Sequence, residues 1–293
     1  ALTEKEANSL NSVKGELLKL SSAPSAYTKK TKWMKGDTIF QPELAATLRR
    51  IQQNGLAGFY EGVTADLIVK EMANGAGIIS TTDLKNYQTK KRAPIEFDYK
   101  NHHVISFAPP SSGGILIAQM MKMIAPFDIA AMGYQSPAAV GLMVESQRRA
   151  YADRAEHMGD PDYWKVPTTT LTSNAYAQER MKDYQAGVAG NSKMIQAGTT
   201  KESEQTTHFS VIDEAGNMVS VTTTLNDTYG NKTIVGGAGF LLNNEMDDFS
   251  IKPGVPNMYG ALGGEANAIQ PGKRMLSSMT PTLVTKNNQP YIT

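Results

Sequence analysis

The sequence contains no cysteine, which excludes disulfides, thiolate metal sites and a cysteine nucleophile. It holds only four histidines, and none stands convincingly in a Ser-His-Asp arrangement. Charge of one sign is also missing: 29 Lys and Arg stand against 28 Asp and Glu, for a net charge of +1. With no basic block, a nucleic-acid partner has no electrostatic footprint. No apolar run approaches the ~18 residues that suggest a membrane span. The opening ALTEKEANSL lacks the apolar stretch of a signal peptide. What is present is an ordinary globular composition, 40% hydrophobic and 19% charged, long enough for one large domain or two smaller ones.

The stretch 206–225, TTHFSVIDEAGNMVSVTTTL, is the centre of the reading. Two strands, 206–212 and 218–225, flank the loop Asp213-Glu214-Ala215-Gly216-Asn217, where Gly and Asn suit positive φ. If Ile212 faces Met218, the register puts Thr206 opposite Thr224. Period-two alternation gathers Phe209, Val211, Val219 and Val221 on one face. Thr206, His208, Ser210, Ser220, Thr222 and Thr224 then crowd the other with hydroxyls. On pattern alone a half-buried sheet with a polar outer face explains this, since Thr is a good strand former.

Elsewhere the chain reads as a helical layer followed by β segments. Helices are expected over 6–20, after Pro42 to a stop at Asn54-Gly55, from a Thr64 cap to the glycines at 75–77, and from Thr82-Asp83 to Tyr87. Strands are expected over 95–99 and 103–107 with a turn at 100–102. His102 and His103 then read as surface histidines without a carboxylate cluster. The turn PPSSGG, residues 109–114, leads into a helix over 115–124 and lacks any Walker or dinucleotide spacing. Ser136-Pro137 opens the clearest helix, ended by Gly159. Its Asp153 and His157 read as surface pairs, and 167–204 as a long loop. Phe240-Leu241-Leu242 reads as a short strand. Asn243-Asn244-Glu245-Met246-Asp247-Asp248 concentrates acids and amides that suit an ammonium group. A Ca²⁺ loop is the rival, without the alternating ligands and central Gly it needs. Residues 253–264 read as a mobile flap. Strands over 282–285 and 291–293 flank an Asn287-Asn288 turn.

With those residues in hand, the chain resembles the γ-glutamyltranspeptidases (glutathione hydrolases) of the N-terminal-nucleophile hydrolase superfamily. The resemblance runs from about Lys35 to Thr293 and rests on Thr206-Thr207-His208-Phe209-Ser210, NNEMDDFS from Asn243, and KPGVPN from Lys252. Lys273-Arg274, Leu276-Ser277-Ser278-Met279, PPSSGG and YADR add to it. It implies an α+β fold, a four-layer αββα sandwich incomplete at its edges. It also implies a precursor that cuts itself between Gln205 and Thr206. Residues 1–205 would then be the C-terminal part of a large subunit and 206–293 the N-terminal part of a small one, paired as a heterodimer.

By the same resemblance Thr206 is the nucleophile and Thr224 donates a hydrogen bond to its hydroxyl, in agreement with the strand register. The freed α-amino group titrates near 8 and serves as base. Asn226, Glu245 and Asp248 would hold the α-amino and α-carboxylate ends of a γ-glutamyl group, and Ser277 and Ser278 its α-carboxylate. Tyr259 would lie on a lid. The implied activity is γ-glutamyl transfer or hydrolysis of glutathione and related compounds through an ester on Thr206, with water, an amino acid or a dipeptide as acceptor. No cofactor, metal or nucleic acid is implied, and the implied location is periplasmic or secreted. Two family elements have no match here: an N-terminal arginine clamp and a Gly-Ser-Pro-Gly-Gly oxyanion turn expected just after Thr293. An oxyanion donor is worth on the order of 10²–10³ in rate, so the chain is expected to be part of a longer product. The competing readings are a cephalosporin acylase, a poly-γ-glutamate depolymerase, and an inactive fragment serving as a folding or interaction module.

Overall fold

A computed structural model describes residues 1–192, 206–255 and 263–293. Gln205, Tyr259 and most of the expected flap lie outside the described residues. The chain forms two compact units, residues 1–90 with Leu225–Asn244, and residues 91–224 with 245–293.

The first unit is mainly helical. Helix α1, Glu4–Leu20, opens on a capping box in which Thr3 accepts from the Glu6 amide and the Glu6 carboxylate accepts from the Thr3 amide. Ala7 and Leu10 pack with Trp33. Pro42 starts α2, Pro42–Asn54, which stops where Gly55 takes φ +58°. Short α3, Ala57–Tyr60, precedes α4, Gly62–Asn74. Thr64 is not the cap of α4. It lies in the first turn, fully buried, donates to the Gly58 carbonyl at 2.7 Å and accepts from Arg50 at 2.8 Å. Helix α5, Thr81–Asn86, is capped by Ser80, with Asp83 closing the box.

The segment Leu225–Asn244 belongs to this unit and carries apolar side chains into it. Val235 and Ala238 join Ile68 in one buried cluster, and the Thr47 hydroxyl donates to the Ala238 carbonyl at 2.8 Å. Gly239 must be glycine: its φ is +79°, and a Cβ would sit 2.5 Å from the Leu44 nitrogen. The strand expected at Phe240-Leu241-Leu242 is absent. Only an isolated bridge, Leu241 with Ile234, occurs there, because the glycines at 236, 237 and 239 turn the chain too tightly for a ladder.

The second unit is built on an antiparallel sheet. Strands β1, Ile95–Tyr99, and β2, His102–Ser106, meet at a tight turn with Lys100 at φ +53°. Helices α6, Gly113–Ile124, and α7, Pro137–His157, follow, then α8, Thr168–Leu171, and α9, Asn174–Met181. These last two replace part of the expected loop at 167–204, because Ser173 caps α9 and Leu171 and Ala177 are buried. Strands β3, Thr207–Ile212, and β4, Met218–Thr223, form a separate two-stranded sheet. Strands β5, Thr282–Lys286, and β6, Gln289–Ile292, complete the larger sheet in the order β1-β2-β5-β6. Helices and antiparallel strands in blocks make this an α+β chain.

The core of this unit joins the inward face of β1 and β2, through Ile95, Phe97 and Val104, to Ile115, Leu116 and Ala118 of α6 and Ala150 of α7. Burying an Ile or Leu side chain contributes about 1.5–3 kcal/mol, so this contact fixes where α6 and its preceding turn lie. Two expectations change here. Asp153 is not on the surface: it is buried, accepts from Gln119 and Tyr176, and pairs with Arg180. Burial raises its pKa, and burial together with the Asp153 carboxylate pushes Tyr176 up to about 12. His103 does have carboxylates, for its ring nitrogens lie 2.8 Å from Asp98 and 3.2 Å from Glu96.

Candidate active site

The hairpin follows its alternation. Ile212 pairs with Met218 and Thr207 with Thr223, and Thr206 and Thr224 are the next residues beyond the last recorded pair. Thr206 is exposed. On its face the His208 ring bridges Thr222 Oγ1 at 2.8 Å and Ser210 Oγ at 3.1 Å. The opposite face, with Phe209, Val211 and Val219, stands about half exposed. In the loop only Gly216 takes positive φ, +82°. Asn217 instead closes the turn through hydrogen bonds to the Asp213 carboxylate at 2.8 and 2.7 Å.

Immediately after Thr224 the chain makes the excursion Leu225–Asn244, which is closed at its base. The Asn244 amide donates to the Leu225 carbonyl at 3.1 Å, and the Asp227 amide to Asn244 Oδ1 at 2.9 Å. Asn226 holds φ +72°, is buried and donates its side-chain amide to the Asn244 carbonyl at 3.3 Å. Asn tolerates that left-handed conformation better than most residues. Thr224 and Glu245 are the residues that precede and follow this segment in the chain.

Glu245 and Asp248 share a single 3₁₀ turn, Glu245–Asp248. Burial pushes the Glu245 carboxyl above its ordinary value, so a cation brought beside it would favour the ionised form. This turn is coupled to the serine loop by Asn267, which is buried. Its Nδ2 donates to the Asp248 carbonyl at 2.6 Å, and its Oδ1 accepts from the Leu276 amide at 2.9 Å. Its carbonyl accepts from the Ser250 amide at 2.9 Å. Lys273 fastens both neighbours of Asn267, donating to the carbonyls of Ala266 at 3.0 Å and Ala268 at 2.9 Å, and burial holds its pKa below the usual lysine range.

Ser277 and Ser278 lie in irregular backbone held by the PPSSGG turn. The Ser277 amide donates to the Pro110 carbonyl at 3.0 Å, and its carbonyl accepts from the Ser112 amide at 2.8 Å and hydroxyl at 3.0 Å. Ser111 donates to the Met279 carbonyl at 2.6 Å. Arg154, from α7, reaches both pieces: Nε donates to Ser112 Oγ at 3.1 Å and Nη2 to Ser278 Oγ at 2.9 Å. Asp160, fully buried, accepts from the Arg274 amide at 2.9 Å. From the serine loop the chain enters β5, where the Thr282 amide donates to Ser220 Oγ on the polar face of β4 at 3.2 Å. The start of β5 thus meets the polar face of β4 within one unit.

The sequence-predicted residues therefore fall on three supports: Thr206 and Thr224 on the hairpin, Glu245 and Asp248 on the turn, Ser277 and Ser278 on the loop. Asn226 lies in the helical unit, at the base of the excursion. Sequence reasoning noted Arg154 only as the last residue of YADR and gave it no role, and it missed Asn267; both touch these supports without local periodicity to announce the contact. Among the described residues, no group of three or more His, Asp or Glu is placed to hold a metal ion. No described helix is long and apolar enough to cross a membrane.

The gamma-glutamyltranspeptidase family model matches residues 1–293. The glutathione hydrolase proenzyme of Escherichia coli K12 is 47% identical over 260 residues, 88% of this chain and 45% of that protein. The chain thus spans about half the length of the curated relatives it matches. Among solved structures, Helicobacter pylori gamma-glutamyltranspeptidase aligns with a TM-score of 0.64 and 35% identity, over 67% of this chain and 57% of that one. A cephalosporin acylase from Bacillus halodurans aligns with a TM-score of 0.79 over 99% of this chain and 51% of that one. Its 22% identity makes that a likeness of fold alone.

Proposed function

The chain belongs to the gamma-glutamyltranspeptidase family, and from that premise we propose that it is the centre of a self-cleaving γ-glutamyl transferase and hydrolase. The observation that supports the proposal is the hairpin register, Ile212 with Met218 through Thr207 with Thr223; in this reading its continuation by one residue sets the Thr224 hydroxyl opposite Thr206. In the precursor the Thr206 hydroxyl attacks the Gln205 carbonyl. The peptide C–N bond breaks, the ester forms, and water opens it to leave Thr206 with a free α-amino group. That amine, titrating near 8, then takes the hydroxyl proton when Thr206 attacks a γ-glutamyl amide. The leaving amine departs with a proton. Water or an amino-acid or dipeptide amine resolves the γ-glutamyl ester and regenerates Thr206.

In this reading Thr224 donates to the Thr206 hydroxyl, while Glu245, Asp248 and Asn226 hold the amino-acid head of the γ-glutamyl group. Ser277 and Ser278 take its α-carboxylate. Residues 1–205 and 206–293 become parts of a large and a small subunit that stay together as a heterodimer. The strands form the inner layers of an αββα sandwich, supported by the fold likeness over 99% of the chain. A periplasmic or secreted location and glutathione as substrate follow from the same family assignment.

The test is the intact mass of the purified protein after incubation at neutral pH, beside Thr206→Ala. Conversion into pieces 1–205 and 206–293 is expected in the parent and not in the variant, followed by turnover of a γ-glutamyl anilide. Cleavage at the same rate in Thr206→Ala would remove Thr206 as nucleophile. Clean cleavage with preference for a bulkier acyl group would move the chain to the acylases.

A further inference from the structure

Arg154 stands apart from every residue assigned above, yet its guanidinium meets the side chain of Ser278 directly. Two of its contacts have a defined direction. An arginine N–H only donates, so the oxygens of Ser112 and Ser278 accept at 3.1 and 2.9 Å. Ser112 passes its own proton onward to the Ser277 carbonyl at 3.0 Å. Ser278 accepts from Nη2 through one lone pair, and the cation beside it disfavours a further donor approaching the same oxygen, which leaves its hydroxyl proton as the group offered to an anion. The planar fork fixes both oxygens at once, and α7 supplies a rigid base.

We propose that Arg154 is a positioning residue that makes Ser278 an obligate hydrogen-bond donor to the α-carboxylate of the γ-glutamyl group. The proposal rests on the reading of Ser278 as a carboxylate-binding residue. Without Arg154 the Ser278 hydroxyl rotates freely and donates to the nearest carbonyl as readily as to a substrate. With it, the proton faces outward and the adjacent positive charge strengthens its donation to an anion. The same fork holds Ser112, whose amide and hydroxyl fix the Ser277 carbonyl, so both serines of the pair are set by one side chain. Arg154 acts through Ser278 and needs no contact with the substrate.

The experiment is a double-mutant cycle on the mature, cleaved protein, with Arg154→Met, Ser278→Ala and the pair, assayed on a γ-glutamyl anilide and on its α-carboxamide analogue. Arg154→Met is expected to raise KM for the carboxylate substrate roughly ten- to hundredfold, the worth of a charge-assisted hydrogen bond, with little change in kcat. In the Ser278→Ala background the same change should alter KM by less than about twofold. Arg154→Lys should recover part of the loss, and the carboxamide should be nearly indifferent to all three. Equal losses with and without Ser278 would overturn the proposal, since Arg154 would then act by packing or on the substrate itself. If Arg154→Met does not mature, Arg154→Lys and Arg154→Gln in both backgrounds complete the cycle. A parent protein that turns over no γ-glutamyl substrate would fell the parent reading and this one together, whereas additivity in an active parent fells this one alone.

Discussion

The β3–β4 hairpin and the bracket formed by the Glu245–Asp248 turn, Asn267 and the serine loop hold functional side chains in opposite ways. In the hairpin, position comes from register. One pairing, Ile212 with Met218, determines every other partner, with β3 exposed and β4 mostly half-buried. In the bracket no ladder exists, and side chains from other segments hold the backbone of Asp248, Leu276 and Ser277 and the hydroxyl of Ser278: Asn267 on the Asp248 carbonyl and Leu276 amide, Ser112 on the Ser277 carbonyl, Arg154 on Ser278 Oγ. A register is robust to single side-chain loss because the backbone ladder persists. A bracket of buried polar groups is not, because each lost partner strands another group away from water.

The largest expected effect therefore lies in the bracket. Asn267→Leu leaves the Leu276 amide and the Asp248 carbonyl without their partner and should cost about 2–4 kcal/mol, with KM for a γ-glutamyl substrate raised. The matched change in the hairpin, Thr222→Val, removes the hydroxyl that meets His208 on a half-buried strand and should stay within about 1 kcal/mol. Thermal unfolding of the two variants side by side checks the contrast. Equal costs would mean that the hairpin too is held by its side-chain network, and the comparison would fall.

Between these comes Gly216→Ala. Its φ of +82° is costly for any residue with a Cβ, while the nearest atom, 3.4 Å away on Pro290, leaves room. A loss of about 1 kcal/mol is expected from the backbone alone. Cleavage between 205 and 206 should proceed at the parent rate, because the register on either side is set by the strands. Slowed cleavage would show that the turn, and not the ladder, places Thr206.

The same contrast explains what was legible in the sequence. Alternation over 206–225 announced the hairpin and its register, since period two is a local signal. Helix starts at Pro42 and Ser136 were legible from capping chemistry. The bracket was not, because Arg154 and Asn267 act on residues 124 and 19 or fewer positions away and carry no periodicity. Asp153 and His157 looked like a surface pair at i,i+4, but tertiary packing of Gln119 and Tyr176 buries Asp153. The carboxylates at His103 come from alternate positions of the neighbouring strand and from its cross-strand partner, Asp98, a relation visible only once pairing is known. Ser277 and Ser278 were assigned through family resemblance, not by any pattern of their own.

The smallest effect, and the one that ties the bracket to its use, is at Glu245. Burial raises its carboxyl above 4.5, so the folded protein holds this proton more tightly than the unfolded chain. Stability contributed here is present below the unfolded value and falls as pH rises through the raised folded value. Glu245→Gln has no such proton to lose. Its thermal stability should match the parent near pH 4 and exceed it modestly near pH 8, as measured by unfolding across that range. Saturating L-glutamate, whose ammonium group compensates the ionised carboxylate, should stabilise the parent and leave the variant little changed. A variant less stable than the parent at neutral pH would show that Glu245 is a structural carboxylate of the bracket. Stabilisation by L-glutamate of both proteins alike would place the ammonium elsewhere. Under the expected outcome, the bracket sacrifices stability at one half-buried carboxylate so that a cationic head has somewhere to go, a cost that the hairpin, set by register alone, does not carry.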